Sequence, residues 1–165
     1  MEISNLKHQI SNRKDGYTLI EILVVLTIIG LIFAFGYANF RDFSRRQAVA
    51  SAAKLIQGDL RFAQGNAITG QKPSGCNETL DSYAFRVISE SKYVIRANCG
   101  SVNLDVKTVD MSSDIILSIP SPNPLKFKVL GQGTNIGAID WTLILTQNGT
   151  ANTATITVTA GGEIK

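Results

Sequence analysis

The sequence is short of the residues that most chemistry needs. It has one histidine, His8, near the N-terminus. Without a second one further on, Ser–His and Cys–His nucleophilic pairs have no base to draw on. There are two cysteines, Cys76 and Cys99, neither in a C-x-x-C pair, so a closed metal site has too few ligands. No cofactor and no metal are expected. The net charge is only +3, from 16 basic and 13 acidic residues, and no basic stripe stands out, which argues against a dedicated nucleic-acid binder. Proline is scarce, and three of the four prolines fall together at Pro120, Pro122 and Pro124. Charge is absent from one long stretch: between Tyr17 and Phe40 the sole charged residue is Glu21.

That stretch organises the chain. A hydrocarbon core about 30 Å thick needs roughly 20 apolar residues at helical rise, and residues 17–40 supply them. The run is rich in β-branched residues, but its length predicts a helix rather than a buried strand. Glu21 is out of place there. A carboxylate inside a membrane helix costs about 2.5 to 3.5 kcal/mol on insertion scales, so it needs a partner. A cut between Gly16 and Tyr17 would create a new α-amino group four residues before Glu21, and on a helix positions i and i+4 share a face.

A polar leader ending K-D-G, followed by Y-T-L-I-E-I-L-V-V-L-T-I-I-G, resembles the type IV pilin signature. In that family a membrane peptidase cuts after the glycine and methylates the new terminus. The resemblance implies that Gly16 marks the cut, Tyr17 becomes the N-methylated residue and Glu21 acts in assembly. Tyr17 stands where phenylalanine is commoner, and Ala38 where many major pilins have proline. Two other readings of this stretch are a secretory signal peptide and a plain single-pass anchor. The run is long for the first, and the second leaves Glu21 unexplained.

Beyond Phe40 the helix is expected to continue. Val49, Ala52, Ala53, Ile56, Leu60, Ala63 and Ala67 recur at helical spacing, with Arg45, Arg46, Lys54, Asp59, Arg61 and Gln64 between them as a wet face. A break near Asn39 with a separate amphipathic helix is the alternative. Gly70 and Pro73 give the stop. Residues 71–82 read as a loop. Short apolar runs then alternate with turns: Tyr83–Ile88 and Tyr93–Ala97 as a hairpin, Val102–Val109, Ile115–Ile119, Leu125–Leu130, Trp141–Thr146 and Ala154–Thr159. In the third run Val102, Leu104, Val106 and Thr108 should share a face. The expected fold class is α+β: a long N-terminal helix, transmembrane in its first half and amphipathic in its second, packed on a mainly antiparallel sheet domain. The expected divisions are 1–16 leader, 17–40 transmembrane or filament-core helix, 41–70 amphipathic continuation and 71–165 β-rich head.

If the head lies outside the cytoplasm, Cys76 and Cys99 can form one disulfide; the rival is two free thiols. Asp105, Asp110 and Asp114 are close in sequence, but strand and turn surfaces commonly carry such charges. Gly131, Gly133 and Gly137 lack the following Gly-Lys-Ser/Thr of a phosphate loop. Asn77 and Asn148 head formal glycosylation sequons. L-R-F-A-Q-G-N-A-I late in the helix, F-K-V-L-G, and the terminal G-G-E-I-K resemble the GspH/FimT-type minor pseudopilins. The resemblance implies a non-enzymatic subunit of a type II secretion or type IV pilus-like filament. Its partners would be prepilin peptidase, other pilin or pseudopilin subunits and the inner membrane, with the head extracytoplasmic. Some FimT-like relatives bind DNA through a C-terminal Gly-Arg-x-Arg. Here Gly162-Glu163-Ile164-Lys165 stands instead, so DNA binding is not favoured, although Lys92, Lys126 and Lys128 could form another patch. An exported β-rich binding module released by signal peptidase is the remaining reading.

Overall fold

The computed structural model describes residues 16–165. The leader before Gly16, with His8, lies outside the described residues. The chain forms two compact units, one ending at Arg41 and one running Asp42–Lys165.

Helix α1 covers Leu19–Thr69 without interruption, so the alternative of a break near Asn39 is not what the chain adopts. Its end is built by glycine. Gly70 takes φ 64°, the Gly70 N–H bonds the Ala67 carbonyl at 3.2 Å, and the Gln71 N–H bonds the Asn66 carbonyl at 3.0 Å. These are the paired bonds of a Schellman motif, which a Cβ at Gly70 would strain.

In the second unit α1 packs on two antiparallel sheets. The strands are β1 (Leu80–Ser89), β2 (Lys92–Cys99), β3 (Val102–Asp110), β4 (Ile115–Leu117), β5 (Leu125–Lys128), β6 (Trp141–Gln147) and β7 (Thr153–Val158). One sheet has the order β3-β2-β1-β5 and the other β4-β6-β7. The fold is the expected α+β arrangement. Val49, Ala53, Ile56, Leu60, Ala63 and Ala67 form a buried stripe along the helix. Facing it are the inward residues of both sheets, with Trp141, Tyr83, Tyr93 and Phe85 the largest. Phe85 stacks on Tyr93 at 4.9 Å and meets Trp141 edge-on at 5.9 Å. The Trp141 indole N–H donates to the Pro122 carbonyl, so its polar atom is satisfied inside the core.

Two expectations fail, and the two residues are linked through Lys107. Asp59 was expected on the wet face of the helix, and it is buried. Thr108 was expected to share the inward face of β3, and it is exposed while Val109 packs against the core. Asp59 stands three residues after Ile56 and four before Ala63, so helical spacing puts it beside the buried stripe; the register of β3 explains Thr108. Arg96 pairs with Asp105 but Ile95 with Lys107, so β3 carries a bulge at Val106. One extra residue flips the alternation. Lys107 and Val109 then share the inward face with Ile95 and Tyr93. Lys107 Nζ reaches Asp59 Oδ1 at 2.6 Å, and the Tyr93 hydroxyl donates to Asp59 Oδ2 at 2.7 Å. A buried carboxylate is tolerated because both its oxygens are answered. Burial, with the Asp59 carboxylate next, pushes the Tyr93 hydroxyl well above the ordinary phenol range.

Smaller differences concern strand ends. The run expected to continue to Leu130 ends as β5 at Lys128, and Val129–Gly131 form a 3-10 turn with Leu130 at φ 56°. The β4 strand stops at Leu117, before Ile119. Cys76 and Cys99 are joined, with Cα atoms 5.7 Å apart, which fastens the loop after α1 to the end of β2. The Tyr83 hydroxyl donates to the Gln71 carbonyl and holds the start of the same loop.

Candidate functional site

The candidate site is the beginning of α1. Gly16, Tyr17 and Thr18 precede the helix. Thr18 is its N-cap: the Glu21 N–H donates to Thr18 Oγ1 at 3.3 Å, and the Ile22 N–H to the Thr18 carbonyl at 3.2 Å. The spacing T-x-x-E ahead of an apolar run is the sequence mark of a capping box, and it is the local signal that points to Thr18. Glu21 therefore sits in the first helical turn, where the N-terminal end of the helix dipole favours a negative charge. Tyr17 lies one residue ahead of the cap, so Tyr17 and Glu21 are not related here by helical i, i+4 geometry. They are nonetheless brought together: Tyr17, Glu21, Ile22, Val25 and Leu26 line one shallow depression.

Around Glu21 the surface is apolar. Leu19 is 82% exposed, Leu23 56% and Leu26 62%. The one polar side chain in the next turns, Thr27, donates its hydroxyl to the Leu23 and Val24 carbonyls at 2.8 Å each, so it asks for no outside partner. The helix is long and apolar enough to cross a membrane. At the end of this unit the Arg41 guanidinium lies 5.9 Å from the centre of the Tyr37 ring. Gly16 is exposed, and a Cβ there would meet nothing within 4 Å. Among the described residues, then, nothing in the packing demands a glycine at that position.

The other candidates scatter. Asp105 pairs with Arg96 at 2.5 Å and Asp110 with Lys92 at 2.9 Å, while at Asp114 the backbone N–H, not the carboxylate, donates to Ser112 Oγ at 3.4 Å. No two of these carboxylates share a partner. Gly131 and Gly133 take φ of 72° and 80° in a tight turn closed by the Lys128 N–H on the Gly133 carbonyl, which is a strand-end reversal. Gly137 lies in the exposed segment that follows. Among the described residues no three His, Cys, Asp or Glu side chains gather as metal ligands. Glu78 accepts from the Ser101 N–H at 2.9 Å and from its hydroxyl at 3.0 Å, which holds its carboxyl below the usual range. At the C-terminus the tail pairs with β7 through Thr157 and Lys165, and Lys165 Nζ lies 3.2 Å from Glu163 Oε2. Lys126 and Lys128 lie on β5, whereas Lys92 is on β2 and engaged by Asp110, so the three do not form one patch.

Residues 11–37 match a family described as the prokaryotic N-terminal methylation motif. The chain is 27% identical over 110 residues to a fimbrial protein of Neisseria meningitidis, serogroup A, serotype 4A, covering 62% of this chain and 61% of that protein. It is 31% identical over 86 residues to the type IV major fimbrial protein FimA of Dichelobacter nodosus, covering 46% of this chain and 52% of that one. The chain thus spans between 52% and 61% of the length of these curated relatives. No solved structure matches it. The chain thus carries, in residues 11–37, the prokaryotic N-terminal methylation motif and is similar over part of its length to fimbrial proteins, one of them a type IV major fimbrial protein.

Proposed function

We propose that the chain is a filament subunit of the pilin type, cut by a prepilin peptidase between Gly16 and Tyr17, N-methylated at Tyr17, and held in the inner membrane by residues 17–40 before assembly. Residues 41–70 continue the helix, and residues 71–165 form an extracytoplasmic head. The observation that carries this reading is Glu21 in a helix start ringed by exposed apolar side chains. The helix dipole offers an acid in the first turn about 0.3 to 1 kcal/mol. Burial in lipid or in a helix bundle costs about 2.5 to 3.5 kcal/mol. The shortfall requires a cation, and the described part of this helix before Arg41 has none. The amine released at Tyr17 would supply one, from the same chain or from a neighbour. Gly16, which nothing in the described packing needs, is then explained by the peptidase rather than by the fold.

Within this reading we favour a minor, H-type pseudopilin over a major subunit. Its three sequence stretches converge in the head: Gln64 Nε2 donates to the Gly162 carbonyl at 2.8 Å, and Gln64, Ile68, Phe127, Gly131 and Gly161 border one cavity of about 130 Å³. DNA binding is disfavoured, since the cation at the tail is matched by Glu163 and phosphate tracking needs several free cations. No catalytic role is assigned. The test is Glu21→Val. The variant should insert into the membrane normally and enter filaments poorly; unimpaired incorporation would show that the glutamate does not set subunit register.

A further inference from the structure

Four sheet edges border the head, and three are dealt with. The β5 edge is taken up by the turn that follows it: Asn135 and Lys126 exchange backbone and side-chain bonds, and the Lys128 N–H bonds the Gly133 carbonyl. The β4 edge meets the Glu90 carbonyl through the Leu117 N–H. The β3 edge carries the bulge together with Asp105, Lys107 and Asp110, features that discourage strand pairing. The β7 edge differs along its length. Its second half is covered by the chain's own tail: the Thr157 N–H bonds the Lys165 carbonyl at 3.1 Å, the Lys165 N–H returns to Thr157 at 2.9 Å, and the Thr159 N–H bonds Glu163.

The first half of that edge is open. In an antiparallel ladder, outward-pointing backbone groups recur every second residue. Since Thr157 points to the tail and the Asn152 carbonyl bonds Gln147 on the inner side, Thr155 and Thr153 present their N–H and C=O groups outward. Among the described residues nothing accepts or donates there. Beside them lies a groove of about 420 Å³, walled by Thr153 and Ala154 on the strand and by Arg46, Val49 and Ala50 on α1. Val49 and Ala50 make a low apolar floor. Arg46 is exposed and has no ion pair among the described residues.

We propose that this half-edge is a strand-addition site: an extended segment bearing a carboxylate, supplied by a neighbouring filament subunit, continues the ladder that the tail begins and places its acid against Arg46. Backbone bonds to Thr153 and Thr155 give attachment, and Arg46 gives the charge preference. The identity of the occupant rests on the filament reading; the edge itself does not.

The first arm of the test uses the labelled full chain in detergent micelles. The probe is a capped five-residue peptide of alternating valine and threonine with a central glutamate, alongside a lysine-centred counterpart. The glutamate peptide should shift the Thr153 and Thr155 amide signals, and should bind better than the lysine peptide by up to about fivefold, as an exposed ion pair allows. Arg46→Glu should reverse that preference. Thr155→Pro removes one outward N–H without touching a bond to β6, so it should abolish binding while Trp141 fluorescence stays native. Still amides at Thr153 and Thr155, or a glutamate preference that survives Arg46→Glu, would overturn the site. The second arm places a photo-reactive residue at position 155 in cells. An adduct with another pilin-type subunit is expected. Peptide binding without such an adduct would overturn the neighbour as occupant. Neither arm depends on where the mature chain begins, so failure here is separable from failure of the filament reading.

Discussion

The two halves of helix α1 are continuous in backbone and opposite in what their side chains meet. From Leu19 to Phe33 the apolar residues point every way and are exposed: Ile22 is 51% exposed, Ile28 52% and Phe33 72%. From Val49 to Ala67 they fall on one stripe, and Ile56, Leu60, Ala63 and Ala67 are fully buried. A helix apolar on all sides needs surroundings that its own chain does not provide, whereas a striped helix finds them in its own sheets. The contrast extends to the acids. Asp59, in the second half, is answered within the head by Lys107 and Tyr93. Glu21, in the first half, is met among the described residues only by its helix start, and under the proposed function its answer comes from processing or from another chain.

Truncating one buried and one exposed leucine separates the two halves most clearly. Leu60→Ala should lower head stability by about 3 to 5 kcal/mol in denaturant unfolding, because a fully buried side chain leaves a cavity. Leu26→Ala should leave the same transition within about 0.5 kcal/mol, because its side chain is exposed and packs on no core. Equal losses would mean the two halves do not differ as described. Asp59→Ala comes next, at about 3 kcal/mol, the lower end for breaking a buried pair, since Lys107 is 44% exposed and can turn to water. A smaller effect follows from Tyr93. Its folded-state pKa is raised above the unfolded value of 10.0, so the stability it contributes is fully present below about pH 10 and is lost as pH climbs beyond. Asp59→Asn should weaken that alkaline slope, measured as the unfolding midpoint against pH. Least of all, Thr18→Ala should fray the first turn by about 1 kcal/mol, visible as faster exchange of the Glu21 amide and nothing in the head.

The helix and its stripe were legible because period and length carry them: Val49, Ala53, Ile56, Leu60 and the rest repeat at three and four residues. The strands at 141–147 and 153–158 were legible within a residue or two from turn residues and alternation; the hairpin around Glu90 and Ser91 was legible too, but β1 begins at Leu80, three residues before Tyr83 and inside the stretch expected as a loop. The bulge at Val106 was not, because nothing local distinguishes V-K-T-V from a regular strand; what it brings about, Lys107 facing Asp59, joins residues 48 apart in sequence. A lone aspartate between helical apolar positions reads as solvent-facing until the sheet supplies Lys107. At the candidate site, Gly16, Tyr17 and Glu21 stood out through an acid in apolar company. Thr18 does not stand out in the same way, because its side chain serves the backbone.

The start of the mature chain decides whether Glu21 has an amine to meet, and intact mass of the protein purified from membranes reads it directly. A terminus at Tyr17 carrying one added methyl group is the predicted result. A chain that retains its leader, or that starts beyond Phe35 after signal-peptidase cleavage, would contradict it.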